Sequence, residues 1–333
     1  MGRRCRNGVA GSVMQKLLEE KVEHYWGFRG PFVIRQVRDD PLRRTWWMYT
    51  RNGPVMIKWF GSPDERDTVV ASLRLHYWAA QQGAALAQLL PVRDGSVSLD
   101  EEDGVLAVFE YVDGAVGVAD WKVLGRAVAR LHALGTPEFA RRSRFCPRRS
   151  LPEAERHLTG FLARSRGQEL HEPAERALGI LRTLPSLRVL PIGIIHTDMG
   201  IAHTLTRSTG EVVFLDTLDI GVGPLAMDFP PILCEHLSHL DTGGKASRLN
   251  RSAACEFLEE YERIRPLTPH ERRLILPIHR AYIICHAARY LDQAWRSGAP
   301  EFLARAHTYF HWLDYAEQMI PQDLVPLLTG SAR

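Results

Sequence analysis

Two aspartates in the middle of the chain each follow a short apolar run. Asp198 comes three residues after the run 193–195, and Asp216 comes directly after the run 212–215. Because two short strands joined by a short loop commonly pair, we expect both carboxylates to lie at the same end of one small hairpin. One carboxylate could then take the proton of a hydroxyl group while the other holds Mg²⁺ against a polyphosphate. The spacing therefore outlines a site for phosphoryl transfer.

The residues around these aspartates resemble the catalytic loop and metal-binding segment of the superfamily of aminoglycoside phosphotransferases, choline kinases and homoserine kinases, whose fold is similar to that of protein kinases. The family pattern is His-Gly-Asp, four variable residues and Asn, followed by an apolar strand, Ile-Asp and a second acid. A later Tyr-Asp-Leu completes the pattern. The matching positions in this chain are His196-Thr197-Asp198, His203, Leu215-Asp216, Asp219 and Asp228.

The resemblance implies a role for each matching side chain. Asp198 would be the catalytic base that orients an acceptor hydroxyl and takes its proton, and His196 would brace the loop rather than transfer phosphate. Asp216 would be the principal metal ligand, and Asp219 would orient water or metal. The implied cofactors are ATP and Mg²⁺, with Mn²⁺ as the alternative metal.

Two positions depart from the family pattern. Thr197 replaces the small glycine and leaves less room for close backbone packing. His203 replaces the asparagine, and its imidazole nitrogen is a softer ligand than a carbonyl oxygen. Three interpretations of His203 stay open: it binds Mg²⁺ or Mn²⁺ weakly, it hydrogen-bonds Asp198 or Asp216 without touching metal, or the site uses a single metal.

The elements that would position these groups begin with residues 32–60, which are rich in β-branched and aromatic side chains. They predict three antiparallel strands at about 32–38, 45–50 and 55–60, with Asn52-Gly53 as a tight hairpin turn. The third strand resembles the family strand whose lysine pairs with the α and β phosphates of ATP. The resemblance implies that role for Lys58.

The apolar run 105–111 resembles the hinge in which adenine bonds to main-chain groups. The resemblance implies adenine contacts from Glu110 to Val112. A helix is predicted over 121–134, and its His132 is similar to the family histidine that packs beneath the catalytic loop, so that a structural role is expected.

A further helix is predicted over 62–82, with acids in its first turn and Gly83 after its end. In kinases this helix carries a glutamate that fixes the strand lysine, but Ser72 stands where that glutamate is expected. Glu65 or Asp67 would be the substitute. The glycine-rich phosphate loop is also missing, because residues 39–44 contain no glycine.

These elements indicate an α+β, bilobal, protein-kinase-like fold, with two lobes that share a cleft. The predicted N-terminal lobe, 1–110, contains an antiparallel sheet and one main helix and binds nucleotide. A hinge follows at 111–114. The larger and mostly helical C-terminal lobe, 115–333, would carry the catalytic groups and bind the acceptor.

Composition excludes several classes of protein. The chain of 333 residues has 42 basic and 39 acidic side chains, and a formal charge of +3 gives no concentrated basic face for nucleic acid. The five cysteines form no CxxC pair, which argues against a zinc site or a disulfide framework. No apolar segment is long enough to span a membrane, and the N-terminus lacks a signal-peptide core. We therefore expect a cytoplasmic protein with free thiols.

The acceptor stays open at the level of the sequence. From residue 229 to 333 the chain has 12 acidic and 12 basic residues, a balance that argues against a strongly cationic acceptor. One alternative is a hydroxyl of a small metabolite or antibiotic. Another is Ser or Thr of a ribosomally made precursor peptide, whose acidic leader would dock on the arginine-rich segment 137–191 and whose product would pass to a partner lyase. The third is a catalytically impaired subunit that binds nucleotide or a protein partner.

Overall fold

The computed structural model describes residues 8–40, 43–61, 66–118, 120–142, 151–216, 220–240, 246–318 and 320–329. The chain forms two compact units, which divide between Asp113 and Gly114. The first unit is built on an antiparallel sheet, and the second is mainly helical. The mixed fold with a sheet-based N-terminal part and a larger helical C-terminal part is confirmed. The roles predicted for the two lobes and the hinge stay predictions.

The first unit contains one sheet and two main helices. Its strands are β1 (Val33–Asp40), β2 (Arg43–Thr50), β3 (Gly53–Phe60), β4 (Leu89–Leu90), β5 (Leu99–Glu101) and β6 (Gly104–Glu110). Its helices are α1 (Gly8–Lys21), which continues as a π-helix over Val22–Trp26, and α2 (Arg66–Gln81). The sheet order is β1-β2-β3-β6-β4 with β5 beside β6, and every pairing is antiparallel. The three strands predicted over 32–60 are confirmed. Of the helix predicted over 62–82, residues 62–65 lie outside the described ranges.

Alternation along the strands of this sheet separates its core face from the face of Lys58. Because Gly53 adopts a φ of +110°, β2 can turn directly into β3 and pair in tight register. One face of the sheet then packs against α1 and the π-helix that follows it. The buried cluster between them consists of Leu18, Val22, Trp46, Met48, Val55, Ile57, Leu106 and Val108. Lys58 follows the core residue Ile57 and points to the opposite face, where Thr45 and Ala107 are its cross-strand neighbours.

The second unit contains short strands among nine helices in the described part of the chain. The strands are β7 (Ala115–Val116), β8 (Ile192–Ile195), β9 (Thr204–Thr206), β10 (Val212–Phe214), β11 (Gly221–Pro224), β12 (Ser238–Leu240) and β13 (Ala246–Leu249). The helices are α3 (Trp121–Ala133), α4 (Glu138–Arg142), α5 (Leu151–Leu162), α6 (His171–Arg182), α7 (Phe229–Pro231), α8 (Arg251–Ile264), α9 (Pro269–Ser297), α10 (Pro300–Gln318) and α11 (Ile320–Thr329).

The pairing of these strands corrects one prediction. The strand before Asp198, β8, pairs with β11, whereas the strand before Asp216, β10, pairs with β9. The two aspartates therefore do not share the end of one hairpin, as the sequence suggested. The reason is that the 3₁₀ turn Ile201–His203 redirects the chain after β8, and a new hairpin then starts at β9.

In the second unit α3 packs against α8, whereas α9 packs mainly against α10 and α5. Gly125 on α3 lies so close to the carbonyl of Phe257 on α8 that a β-carbon there would clash, so that the two helices pack closely. The central helix α9 begins with a capping box formed by Thr268 and Glu271 and ends at Gly298 in the left-handed conformation. Within the described ranges, no helix combines the length and the apolar character needed to cross a membrane.

Candidate active site

The loop after β8 is anchored at its start by a buried carboxylate. Asp228 is fully buried, and it accepts hydrogen bonds from the backbone N–H groups of His196, at 2.9 Å, and Thr197, at 2.5 Å. These bonds satisfy two backbone N–H groups that follow the end of β8 and are not part of a strand pair. Asp198, the next residue, is therefore held on a backbone whose direction is fixed.

Thr197 takes a backbone conformation that favours glycine. Its φ is +60°, in the left-handed region, which a β-branched residue rarely adopts. This is the position where the family pattern has glycine. The structure thus gives a physical reason for that glycine, and the bonds to Asp228 keep the loop in this conformation despite the threonine.

A chain of buried polar groups supports Asp228 from behind. His132 on α3 has its Nε2 at 3.0 Å from the Asp228 carboxylate and its Nδ1 at 2.8 Å from the Tyr261 hydroxyl. Arg265 donates to the same hydroxyl at 2.7 Å and to Glu271 at 2.7 Å. Burial raises the pKa of Tyr261, so that it stays a neutral phenol in this network. The structural role expected of His132 is confirmed.

The structure brings Asp198, His203 and Asp216 together. His203 Nε2 lies 3.6 Å from Asp198 Oδ2, and both side chains are partly exposed, at 31% and 23%. The backbone N–H of Leu215 donates to the His203 carbonyl at 2.7 Å, which places Asp216 beside the same loop. Asp216 also has a positive φ, of +57°. Asp198 and His203 thus lie side by side, and the backbone that leads into Asp216 contacts the same loop, although the predicted single hairpin is wrong. Asp219 lies outside the described residues.

The His196 side chain is closed off from solvent. It is fully buried and its ring lies 5.9 Å from that of Phe214. Burial lowers the pKa of His196, although the nearby charges of Asp228 and Asp198 act in the opposite direction. Neither ring nitrogen has a hydrogen-bond partner among the described residues. Such a group suits packing under the loop better than proton or phosphate transfer, and its bracing role stays a prediction.

The predicted nucleotide-binding residues lie in the first unit. Lys58 Nζ lies 5.3 Å from the centre of the Phe109 ring, and the side chain is half-buried. Glu110 is tied to β4 by two bonds: its N–H donates to the Gln88 carbonyl at 2.8 Å, and its carboxylate accepts from the Gln88 N–H at 3.0 Å. The Glu110 N–H is therefore engaged within the sheet. Val112 is buried.

The acidic partner of Lys58 stays open. Ser72, at the position where kinases have a glutamate, is buried on α2, and Asp67 in the first turn is exposed. Glu65 lies outside the described ranges. In place of a glycine-rich loop, Arg43 begins β2 opposite Asp40, and the Arg44 guanidinium lies 4.9 Å from the centre of the Trp59 ring.

The side chains around Asp216 offer a hard cation such as Mg²⁺ few protein ligands. Among the described side chains, no three of His, Cys, Asp or Glu form a preformed metal cage. Mg²⁺ is usually held by one or two carboxylates together with water and substrate phosphates. Asp216, which is partly exposed and follows the residue bonded to the His203 carbonyl, fits that mode. His203 lies toward Asp198 rather than in a shared cage, which favours the two interpretations in which it is not a metal ligand.

Two residues that anchor the loop were not predicted from the sequence. The Ile201 N–H donates to Glu235 at 2.8 Å, and His236 Nε2 lies 2.9 Å from the Met199 carbonyl. Gly200 lies so close to Glu235 that a side chain there would clash with the carboxylate. Only Asp228 carried a signal in the family pattern. Glu235 and His236 bond to backbone, which leaves no mark in the sequence.

Comparison with known proteins places the fold. No protein-family model matches the chain, and no curated protein is similar enough in sequence to be matched. Among solved structures, spectinomycin phosphotransferase APH(9)-Ia, in complex with ADP and spectinomycin, is 13% identical with a TM-score of 0.64, and the match covers 95% of this chain and 98% of that one.

Two further structures extend the similarity. Amicoumacin kinase hAmiN, in complex with AMP-PNP, Ca²⁺ and Ami, is 12% identical with a TM-score of 0.65, covering 94% of this chain and 96% of that one. Choline kinase from Cryptosporidium parvum is 12% identical with a TM-score of 0.62, covering 97% of this chain and 100% of that one. At this level of identity the fold is what is shared. The chain has the fold that these phosphotransferase and kinase structures share.

Proposed function

We propose that the chain is an ATP-dependent O-phosphotransferase. The observation that carries the proposal is the approach of His203 to Asp198 on a loop whose backbone is held by the buried Asp228, with the residue before Asp216 bonded to the same loop. Phosphoryl transfer needs little covalent chemistry from the protein, and it depends on positioning and on stabilisation of charge. A rigid loop that presents a partly exposed carboxylate meets the first of these needs.

In the proposed reaction, Asp198 accepts the proton of the acceptor hydroxyl. The hydroxyl oxygen forms a bond to the γ-phosphorus, and the bond between that phosphorus and the β–γ bridging oxygen breaks to release ADP. Asp216 would hold Mg²⁺, which supplies neutralisation of the phosphate charges, and Asp219 would orient water or metal. In the first unit, Lys58 would contact the α and β phosphates, and the main chain from Glu110 to Val112 would bind adenine.

His203 is proposed to orient Asp198. At 3.6 Å its Nε2 is close enough to hold the carboxylate in one direction once a substrate tightens the site. This assignment makes His203 a neighbour of the base rather than a replacement for the asparagine that binds metal in the family. A single Mg²⁺ on Asp216 is then sufficient.

The acceptor is a hydroxyl group in either of two classes. A small metabolite or antibiotic is favoured by the fold, since spectinomycin and amicoumacin occur in the complexes of its structural neighbours. The alternative acceptor is Ser or Thr of a precursor peptide, which would be followed by a lyase. Residues 143–150 of the arginine-rich segment, where such a peptide was expected to dock, lie outside the described ranges.

The test is ADP release from Mg²⁺·ATP with the purified full chain and a panel of acceptors. The panel contains spectinomycin, choline and a synthetic peptide rich in Ser and Thr, with water as the background acceptor. We expect one acceptor to raise the rate well above the rate with water, and mass spectrometry to find that acceptor heavier by one phosphoryl group. ATP binding without any phosphorylated product would instead support the impaired subunit, which the replacement of asparagine by His203 favours.

A further inference from the structure

The segment between Asp198 and His203 has an irregular backbone that cannot satisfy its own polar groups. It consists of an extended stretch followed by the 3₁₀ turn Ile201–His203, in which the His203 N–H donates to the Gly200 carbonyl at 3.0 Å. Met199 and Gly200 are buried. Their remaining backbone groups therefore need partners from elsewhere in the fold.

Those partners come from one short stretch that follows Asp228. Residues Ile232–His236 form a π-helix, closed by a bond from the Leu237 N–H to the Ile232 carbonyl at 2.9 Å. Single π turns interrupt the regular helical spacing and often occur at functional sites. Here the turn carries two successive polar side chains, Glu235 and His236, that both reach the loop.

Glu235 binds the start of the 3₁₀ turn. Its Oε2 accepts the Ile201 N–H at 2.8 Å, and Gly200 is in such close contact that any side chain would displace the carboxylate. A hydrogen bond in which the acceptor is charged is stronger than a neutral one. The N-terminal N–H groups of a helical turn have no intrahelical partner and favour a negative charge.

His236 binds the opposite edge of the same segment. Its Nε2 lies 2.9 Å from the Met199 carbonyl and 3.4 Å from the Thr204 hydroxyl. Since a carbonyl can only accept, Nε2 carries the proton and donates it to Met199. Thr204 in turn donates to the Gly200 carbonyl at 2.9 Å. The backbone from residue 199 to 201 is thus fixed from two sides.

We propose that Glu235, supported by His236, is a positioning residue for Asp198 and His203. The inference rests on the proposed function and adds a residue to its site. Glu235 is proposed to touch neither nucleotide nor acceptor. It acts by fixing residues 199–201, which are three of the four residues between the base and its imidazole neighbour. Because a misplacement of about 1 Å in a reacting group can cost roughly 100-fold in rate, a clamp on this loop has a measurable effect on turnover.

The experiment compares Glu235→Ala with two other variants. Glu235→Gln keeps an oxygen that can accept the Ile201 N–H, and Glu175→Ala removes an exposed glutamate from α6 as the matched control. ADP release from Mg²⁺·ATP is measured with the best acceptor of the panel. If the enzyme phosphorylates none of them, the rate with water as acceptor is measured instead. We expect kcat to fall roughly 10- to 100-fold in Glu235→Ala, with KM for ATP within about 3-fold. Glu235→Gln should retain most of the rate, and Glu175→Ala should match wild type.

A second readout separates this inference from the proposed function. Hydrogen exchange at the Ile201 and His203 amides should be slow in wild type and faster in Glu235→Ala, while exchange in α9 should be unchanged. An unchanged kcat in Glu235→Ala, or unchanged exchange at Ile201, would overturn the clamp. Failure of Gln to restore the rate would also contradict it. If wild type shows no turnover but the exchange difference is present, the phosphotransferase proposal fails while the clamp on the loop is upheld.

Discussion

At the scale of single residues, backbone strain marks the site. Among the described non-glycine residues, Thr197 and Asp216 are the ones with a positive φ, and both belong to the proposed active site. Such conformations persist where the surroundings impose them, and they cluster at functional positions. For Thr197 the sequence held a signal, because the family pattern has glycine at this position and glycine is common in the left-handed conformation. No sequence signal indicated the conformation of Asp216, because it arises from the way β10 ends against the His203 carbonyl.

The strain at Thr197 leads to a prediction for Thr197→Gly. We expect the free energy of unfolding to rise by about 0.5 to 1 kcal/mol, because relief of the left-handed conformation outweighs the entropy that glycine adds to the unfolded chain. Chemical denaturation of both proteins measures the difference. The matched control is Thr209→Gly in an exposed turn, where φ is not positive. That control should lose stability. A loss in Thr197→Gly as large as in the control would show that the threonine is not strained.

At the scale of elements, the sequence predicted strands and helices better than their pairing. The alternation in β1, β2 and β3 and the Asn52-Gly53 turn identified the first sheet, since these are local signals. The pairing of β8 with β11 was missed, because the paired residues are 26 or more positions apart in the sequence and no local pattern links them. Glu235 and His236 were missed for the same reason. Their partners are backbone groups of a distant segment. Because backbone groups are the same in nearly every residue, a bond to them cannot be recognised from residue types.

The anchor on the loop can be tested with Asp228→Asn. The amide keeps the shape of the side chain, but it removes the charge and directs an N–H₂ group toward the donors of His196 and Thr197 or toward His132. We expect the free energy of unfolding to fall by about 2 to 4 kcal/mol and turnover to fall at least about 10-fold. Thermal melts and ADP release measure the two effects. The exposed Asp103 gives the control, Asp103→Asn, which should change neither. A fully stable and active Asp228→Asn would refute the anchoring role.

At the scale of the whole molecule, the chain combines two units of different construction. The first is a sheet with a core against α1, and the second is a helical body around α9. The near balance of acidic and basic residues in the sequence predicted neither unit. Fold class follows from local patterns, whereas the site depends on contacts between segments far apart in the sequence.

Buried histidines make the stability of the molecule sensitive to acid. Burial lowers the pKa of His279 on α9 to about 3. Between about pH 6.5 and pH 3 the unfolded chain therefore binds a proton that the folded chain does not. Stability from this group is present above that window and is lost as the pH falls, with a slope of up to about 1.4 kcal/mol per pH unit. In denaturation series at several pH values, His279→Gln should have a shallower slope than wild type. The exposed His270 provides the control His270→Gln, and an equal slope in all three proteins would contradict the prediction.

In the proposed site, Asp198 serves the chemistry and Asp216 serves the metal and nucleotide. The most direct test is titration of ATP, with and without Mg²⁺, into wild type, Asp198→Ala and Asp216→Ala, followed by ADP release from the same samples. We predict Mg²⁺-dependent binding in wild type, binding within about 3-fold but turnover lowered roughly 100-fold or more in Asp198→Ala, and sharply weakened Mg²⁺-dependent binding in Asp216→Ala. Unchanged turnover in Asp198→Ala, or metal-dependent binding that survives in Asp216→Ala, would contradict the account.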